Sequence, residues 1–169
     1  MRLSTAEQRK RNDRAMLPDD RYRTQFELTT ASLLAWSGFI RDVAAVSVDD
    51  TEAYWSMAAT PRASAACPIV LVLGRRAQTF SVTLGSETYE DLPVESFDLF
   101  LPLLEAVAAG DVVERTFIFA ATARPLAIEM RVGNSGHPLF AEMRRIATTD
   151  GAVLYTDRHF LPYRRSRPR

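Results

Sequence analysis

Lysine, histidine and cysteine are almost missing from this chain, and each scarcity removes a chemistry. Lys10 is the only lysine, against twenty arginines, an imbalance that codon bias in a GC-rich genome accounts for. Schiff-base catalysis, a pyridoxal-phosphate anchor and a phosphate-cradling loop each require a lysine on a folded element, and Lys10 lies in a segment expected to be mobile. Two histidines, His137 and His159, are the only imidazoles. No two His, Cys or carboxylate residues share a recognised ligand spacing on a well-defined element, so the sequence assigns no metal site and no cofactor. A single cysteine, Cys67, excludes an internal disulfide and points to a reducing, cytoplasmic setting. Because it leads through Pro68 into an apolar strand, it reads as a small core filler rather than a nucleophile.

Long apolar runs are missing too. The N-terminus carries charges where a signal peptide needs an apolar stretch, and no uninterrupted run approaches the roughly 20 residues that cross a bilayer, so neither secretion nor membrane insertion is expected. What remains is an ordinary globular composition, with 47% hydrophobic residues, 25% charged residues and no net charge over 169 residues. The charge is unevenly placed. Before Ala15, five basic residues face two acids; after Tyr163 come four arginines and no acid; the body between them must carry −7 to bring the total to zero. The expected organisation is a flexible basic segment over 1–18, one α+β domain over 19–163, and a disordered arginine-rich tail over 164–169. The tails interleave no aromatics with their arginines, so nucleic acid is expected only as a partner of the tails, if at all.

Periodicity supplies the elements. Tyr22, Phe26, Leu33 and Trp36 continue one helical face up to Gly38, although Phe26 and Leu28 flanking Glu27 would also suit a strand. Phe39 to Val48 is apolar and compatible with a further helix. Tyr54–Ala59, Ile69–Leu73, Phe80–Leu84, Val112–Ala121 and Leu126–Val132 read as strands. Between the two hairpins, Phe97, Phe100, Leu101, Leu104, Val107 and Ala108 form the apolar stripe of a central helix, about 93–109. Its expected inner row is Phe97, Leu101, Leu104 and Ala108. Glu90, Asp91, Glu95 and Asp98 would lie near its positive end, Pro102 would kink it, and Gly110 would cap it. A last helix is expected over Leu139–Ala147, with Phe140, Met143 and Ile146 or Ala147 facing inward, followed by a short strand from Ala152 to Tyr155. The fold expected is therefore a single antiparallel sheet of about five strands with helices packed on one face. Setting Phe80–Ser86 under Ile128–Asn134, an offset of 48, suggests that strand–strand–helix occurs twice.

That element order, from Tyr22 to Ala147, resembles the small dimeric type III secretion chaperones of bacteria. The resemblance rests on order and carries no sequence motif; it implies dimerisation through the central helix and sheet, and a surface that holds an unfolded protein segment.

No catalytic residue is assigned. Leu99, Phe100 and Leu103 make the central helix too apolar for one side to face only water, which marks them as interface residues. Arg75 and Arg76 at a hairpin tip, and Ser135 and His137 in a glycine-rich turn before a helix, are the candidate contacts for an anion. The expected function is that of a non-enzymatic protein-binding or assembly domain of chaperone or adaptor type, a homodimer or a partner of another protein, acting through an apolar face of the central helix. The alternative is a small-molecule-binding protein or enzyme with a cavity between helix and sheet.

Overall fold

In the computed structural model, which describes residues 17–134 and 136–164, two antiparallel sheets replace the single one expected from the sequence. Helix α1 (Asp19–Phe39) leads into a meander of five strands, β1 (Ala44–Asp50), β2 (Tyr54–Pro61), β3 (Ile69–Gly74), β4 (Thr79–Leu84) and β5 (Glu87–Pro93), hydrogen-bonded in sequence order. A 3₁₀ turn (Phe97–Leu99) and helix α2 (Phe100–Ala109) cross to a second sheet. It comprises β6 (Val112–Phe119), β7 (Arg124–Val132), β8 (Phe140–Arg145) and β9 (Val153–His159), in the spatial order β8-β7-β6-β9.

The first sheet is built by period-two burial. Trp55, Met57 and Ala59 on β2, Ile69, Leu71 and Leu73 on β3, and Phe80, Val82 and Leu84 on β4 all point to one side and are buried. The two helices close that side. Tyr22, Phe26 and Leu33 face inward from α1, and Phe100, Leu103, Leu104 and Val107 from α2. The aromatics lock together, with Phe80 edge-on to Phe100 at 5.2 Å and Tyr22 tilted on Phe97 at 5.0 Å between ring centroids. At about 1.5–3 kcal/mol for each fully buried large side chain, this layer supplies most of the fold's driving force.

Several sequence expectations change here for identifiable reasons. Residues 44–50 form β1 rather than continuing a helix, because β2 pairs with them in continuous register from Ala44 opposite Pro61 to Asp50 opposite Trp55. Glu90 and Asp91 belong to β5, not to the start of a helix. The central helix starts later than expected, and its buried row is rotated to Phe100, Leu103, Leu104 and Val107, leaving Leu101 half-buried. Pro102 consequently falls in the first turn of α2, where its missing N–H has no intrahelical partner to lose, so it breaks no ladder. Gly110 does cap the helix, in the left-handed conformation at φ 84°, with its N–H donated to Val107 O at 3.1 Å.

The expected helix over Leu139–Ala147 is the strand β8. Phe140 is buried, but Met143 and Ile146 are exposed, so the three-residue spacing there described no helix face. The offset of 48 also fails as a repeat. It would place Phe117 opposite Val132 as Ile69 stands opposite Leu84, whereas Val112 takes that place and Phe117 stands opposite Ala127.

The second sheet meets the first at one corner only. Val112, Met130, Val132 and Phe140 join the common core, Phe140 sits edge-on to Tyr89 at 5.7 Å, and Arg144 forms a two-pronged ion pair with the buried carboxylate of Glu87, at 2.6 and 2.9 Å. After β9 the chain turns back to this corner. Phe160 is buried, Leu161 bridges Ala66, and the Tyr163 hydroxyl donates to Cys67 O at 2.7 Å.

Candidate functional site

The residues singled out in the sequence go to separate places. Arg75 and Arg76 stand at the β3–β4 turn, on the rim of an open cleft of about 1050 Å³ between α1 and the β1–β2 loop. Arg75 is fully engaged there. Its guanidinium pairs with Asp50, donates from Nε to Thr51 O at 2.7 Å, and lies 4.8 Å above the Phe26 ring. Tyr22, whose hydroxyl donates to Gly74 O at 2.7 Å, is pushed to a pKa of about 12 by burial, so it serves as a neutral strut. Four carboxylates (Asp19, Glu27, Asp50, Glu52) line the cleft against three guanidiniums (Arg23, Arg75, Arg76), so an anion would meet a lining of net negative charge.

His137 is exposed in the β7–β8 connection of the other sheet, and Ser135 lies outside the described residues. The structure therefore does not gather Arg75, Arg76 and His137 into one anion site. Leu99 is half-buried, while Phe100 and Leu103 have no exposed surface and point into the chain's own core. Cys67 is likewise sealed, and burial raises its thiol to about 12, leaving no thiolate near neutrality. Among the described residues, no group of three or more His, Cys, Asp or Glu is placed to hold a metal ion, and no helix is long and apolar enough to cross a membrane.

Two stretches of exposed apolar surface stand out, beside scattered side chains such as Val48, Tyr54, Val70 and Leu161. The first is the outer side of α1, where no charged residue occurs from Leu28 to Ile40 and Phe39 is 82% exposed. The second is the far part of the second sheet, beyond the corner that meets β5. Among the described residues, no helix lies across β9, every residue of which is exposed. Val153 and Tyr155 lie on one face, 47% and 58% exposed, and Leu154 lies on the other at 56%, so β9 is open on both sides along its whole length.

β9 is nevertheless held firmly on its inner side. Arg115 on β6 reaches Asp157 with Nε at 2.7 Å and a terminal nitrogen at 2.8 Å, and the same guanidinium covers the Tyr155 ring at 4.2 Å. The Arg115 hydrogen bonds hold the Asp157 carboxyl below its ordinary range, and they raise Arg115 in turn. The preceding turn is shaped around a ring: a Cβ at Gly151 would stand 2.3 Å from Phe119 Cε2. Sequence reading found the start of β9 but not its extent. A sequence separation of 42 between Arg115 and Asp157 leaves no periodic trace of their pairing. Compared with known protein families, curated proteins and solved structures, the chain matches none of them.

Proposed function

We propose that this chain is a non-enzymatic assembly or protein-binding domain that works as a homo-oligomer or on a protein partner, and that the second sheet is its working surface. The supporting observation is a four-stranded sheet anchored at one corner, with Val153, Leu154 and Tyr155 more than two-fifths exposed across both its faces. A sheet gains its stability by burying at least one face. Among the described residues β9 has no such cover, while Leu126 and Ala127 in the same half of the sheet are buried, so the open surface is that of β9. The reading keeps the assembly role expected from the sequence and moves it off the central helix, whose Phe100 and Leu103 already fill the chain's own core.

Size-exclusion chromatography with light scattering on the purified full chain tests the proposal. A mass above the 18.9 kDa of one chain supports it. A monomer that carries a small molecule through purification contradicts it and turns attention to the cleft beside α1.

A further inference from the structure

The open edge of β9 can be read group by group. At the two ends of the β6–β9 register, the Phe160 N–H donates to Val112 O at 3.1 Å and the Ala120 N–H donates to Ala152 O at 3.0 Å. The pairing between them runs without a register shift from Val113 opposite His159 to Phe119 opposite Val153. In an antiparallel ladder, alternate residues turn both backbone groups to the same neighbour. Leu154, Thr156 and Arg158 therefore pair with β6, and Val153, Tyr155, Asp157 and His159 turn their N–H and C=O groups outward. No backbone hydrogen bond to another described residue occupies these eight outward groups.

Two of the other three sheet edges are blunted in ways that β9 is not. β1, like β9, is a seven-residue strand ending in charged residues, but its Ala44 and Val46 pack into the core of the first sheet, whereas every residue of β9 is exposed. β5 contains a register shift, a positive φ of 54° at Asp91, and Pro93. β8 is a six-residue strand that sends Arg144 to Glu87. β9 has seven residues, no proline, no glycine and no bulge.

We infer that the occupant of this edge is a second copy of the same chain, added antiparallel, β9 to β9, about a two-fold axis through Thr156. The inference rests on the assembly reading above and names its partner. A two-fold axis normal to the sheet brings residues of like parity opposite one another, so only a few registers are possible. The register centred on Thr156 uses all seven residues and satisfies all eight outward groups of each copy. It places Val153 opposite His159, Leu154 opposite Arg158, Tyr155 opposite Asp157, and the two Thr156 side chains opposite each other. No like charges meet, and threonine across from threonine is a favourable cross-strand pair. The register centred on Asp157 would set two carboxylates face to face, and the one centred on Tyr155 would leave His159 unpaired. The product is one continuous eight-stranded sheet across two chains.

Cross-linking of the full chain tests both partner and register. Opposed Thr156 residues form a pair not hydrogen-bonded to each other, with Cα atoms about 4.5 Å apart, within the span of a disulfide. Thr156→Cys is therefore expected to give a covalent dimer under mild oxidation. Leu154→Cys, whose counterpart lies four residues further along at roughly 3.3 Å per residue, is expected to give none. Cys67 is buried and supplies no competing thiol. As a companion, Tyr155→Glu sets a carboxylate against Asp157 of the other copy and should weaken the dimer at least tenfold by light scattering, whereas Tyr155→Arg should preserve it.

A dimer that neither cross-links through Thr156→Cys nor responds to Tyr155→Glu overturns the β9 pairing while leaving the assembly reading intact. A ligand-free monomer at every concentration overturns the pairing and assigns the edge to a strand of a different protein. A monomer holding a small molecule overturns both.

Discussion

The two sheets are made of similar strands and meet opposite fates. In the first, Trp55, Met57, Ile69, Leu71, Leu73, Val82 and Leu84 are at most 3% exposed because α1 and α2 lie across them. In the second, β9 is exposed at every residue, and only Val112, Met130, Val132 and Phe140 at the shared corner reach the common core. The difference is one of cover rather than composition. Val153-Leu154-Tyr155 is as apolar a run as many in the first sheet, but among the described residues no third helix lies over it. Within the described residues, one sheet buries a full face under two helices, and in the other β9 is left open on both faces.

The largest expected effect probes the closed half. Phe100→Ala removes a fully buried ring that contacts Phe80 and Phe97, and should cost about 3–5 kcal/mol in urea denaturation. A loss below about 1 kcal/mol would show that α2 is not the keystone of the first sheet.

Gly151→Ala comes next and tests how the open half is held. Its Cβ would lie 2.3 Å from the Phe119 ring, so either the ring or the turn feeding β9 must move. Overpacking of this kind costs about 1–3 kcal/mol. The disturbance should appear in β6 and β9 signals while the first sheet keeps its spectrum.

A smaller effect follows from pH. The folded-state pKa of Asp157 is depressed by Arg115, so its contribution is fully present above the ordinary carboxylate pKa near 3.8 and is lost as pH falls through the lower, folded value. Acidification below pH 4 should therefore loosen β9 before the first sheet melts, followed by amide exchange. Asp157→Asn should remove that acid limb while leaving the neutral-pH fold in place.

Leu154→Ala should have the smallest effect on the monomer, within about 0.5 kcal/mol, because the side chain is 56% exposed. A large loss would mean that Leu154 is covered within a single chain.

The closed half was the legible half. Alternation at Trp55-Met57, Ile69-Leu71-Leu73 and Phe80-Val82-Leu84 identified three strands, and the i, i+4, i+11 pattern of Tyr22, Phe26 and Leu33 identified the inner face of α1, because local periodicity and tertiary burial agree there. Legibility failed where tertiary partners override local pattern. Phe140, Met143 and Ile146 mimic a helix face, but the β7 edge and buried Glu87 draw residues 140–145 into a strand. A single sheet was expected because nothing local reveals that β6, β7 and β8 pair among themselves and with β9 rather than joining the β1–β5 meander. The surplus of apolar surface was readable from composition. Its address was not, since rotating α2 slightly buried Phe100 and Leu103 and left the exposed side chains on α1 and β9.

Alternate backbone amides along β9 test the central claim most directly. Hydrogen exchange should be measured at residue resolution on the wild-type chain and on Tyr155→Glu at the same concentration. The account predicts that Leu154, Thr156 and Arg158 are protected in both, held by β6, while Tyr155, Asp157 and His159 are protected in the wild type, and Asp157 and His159 lose that protection in the variant. Fast exchange of those outward amides in the wild type at every concentration would contradict it.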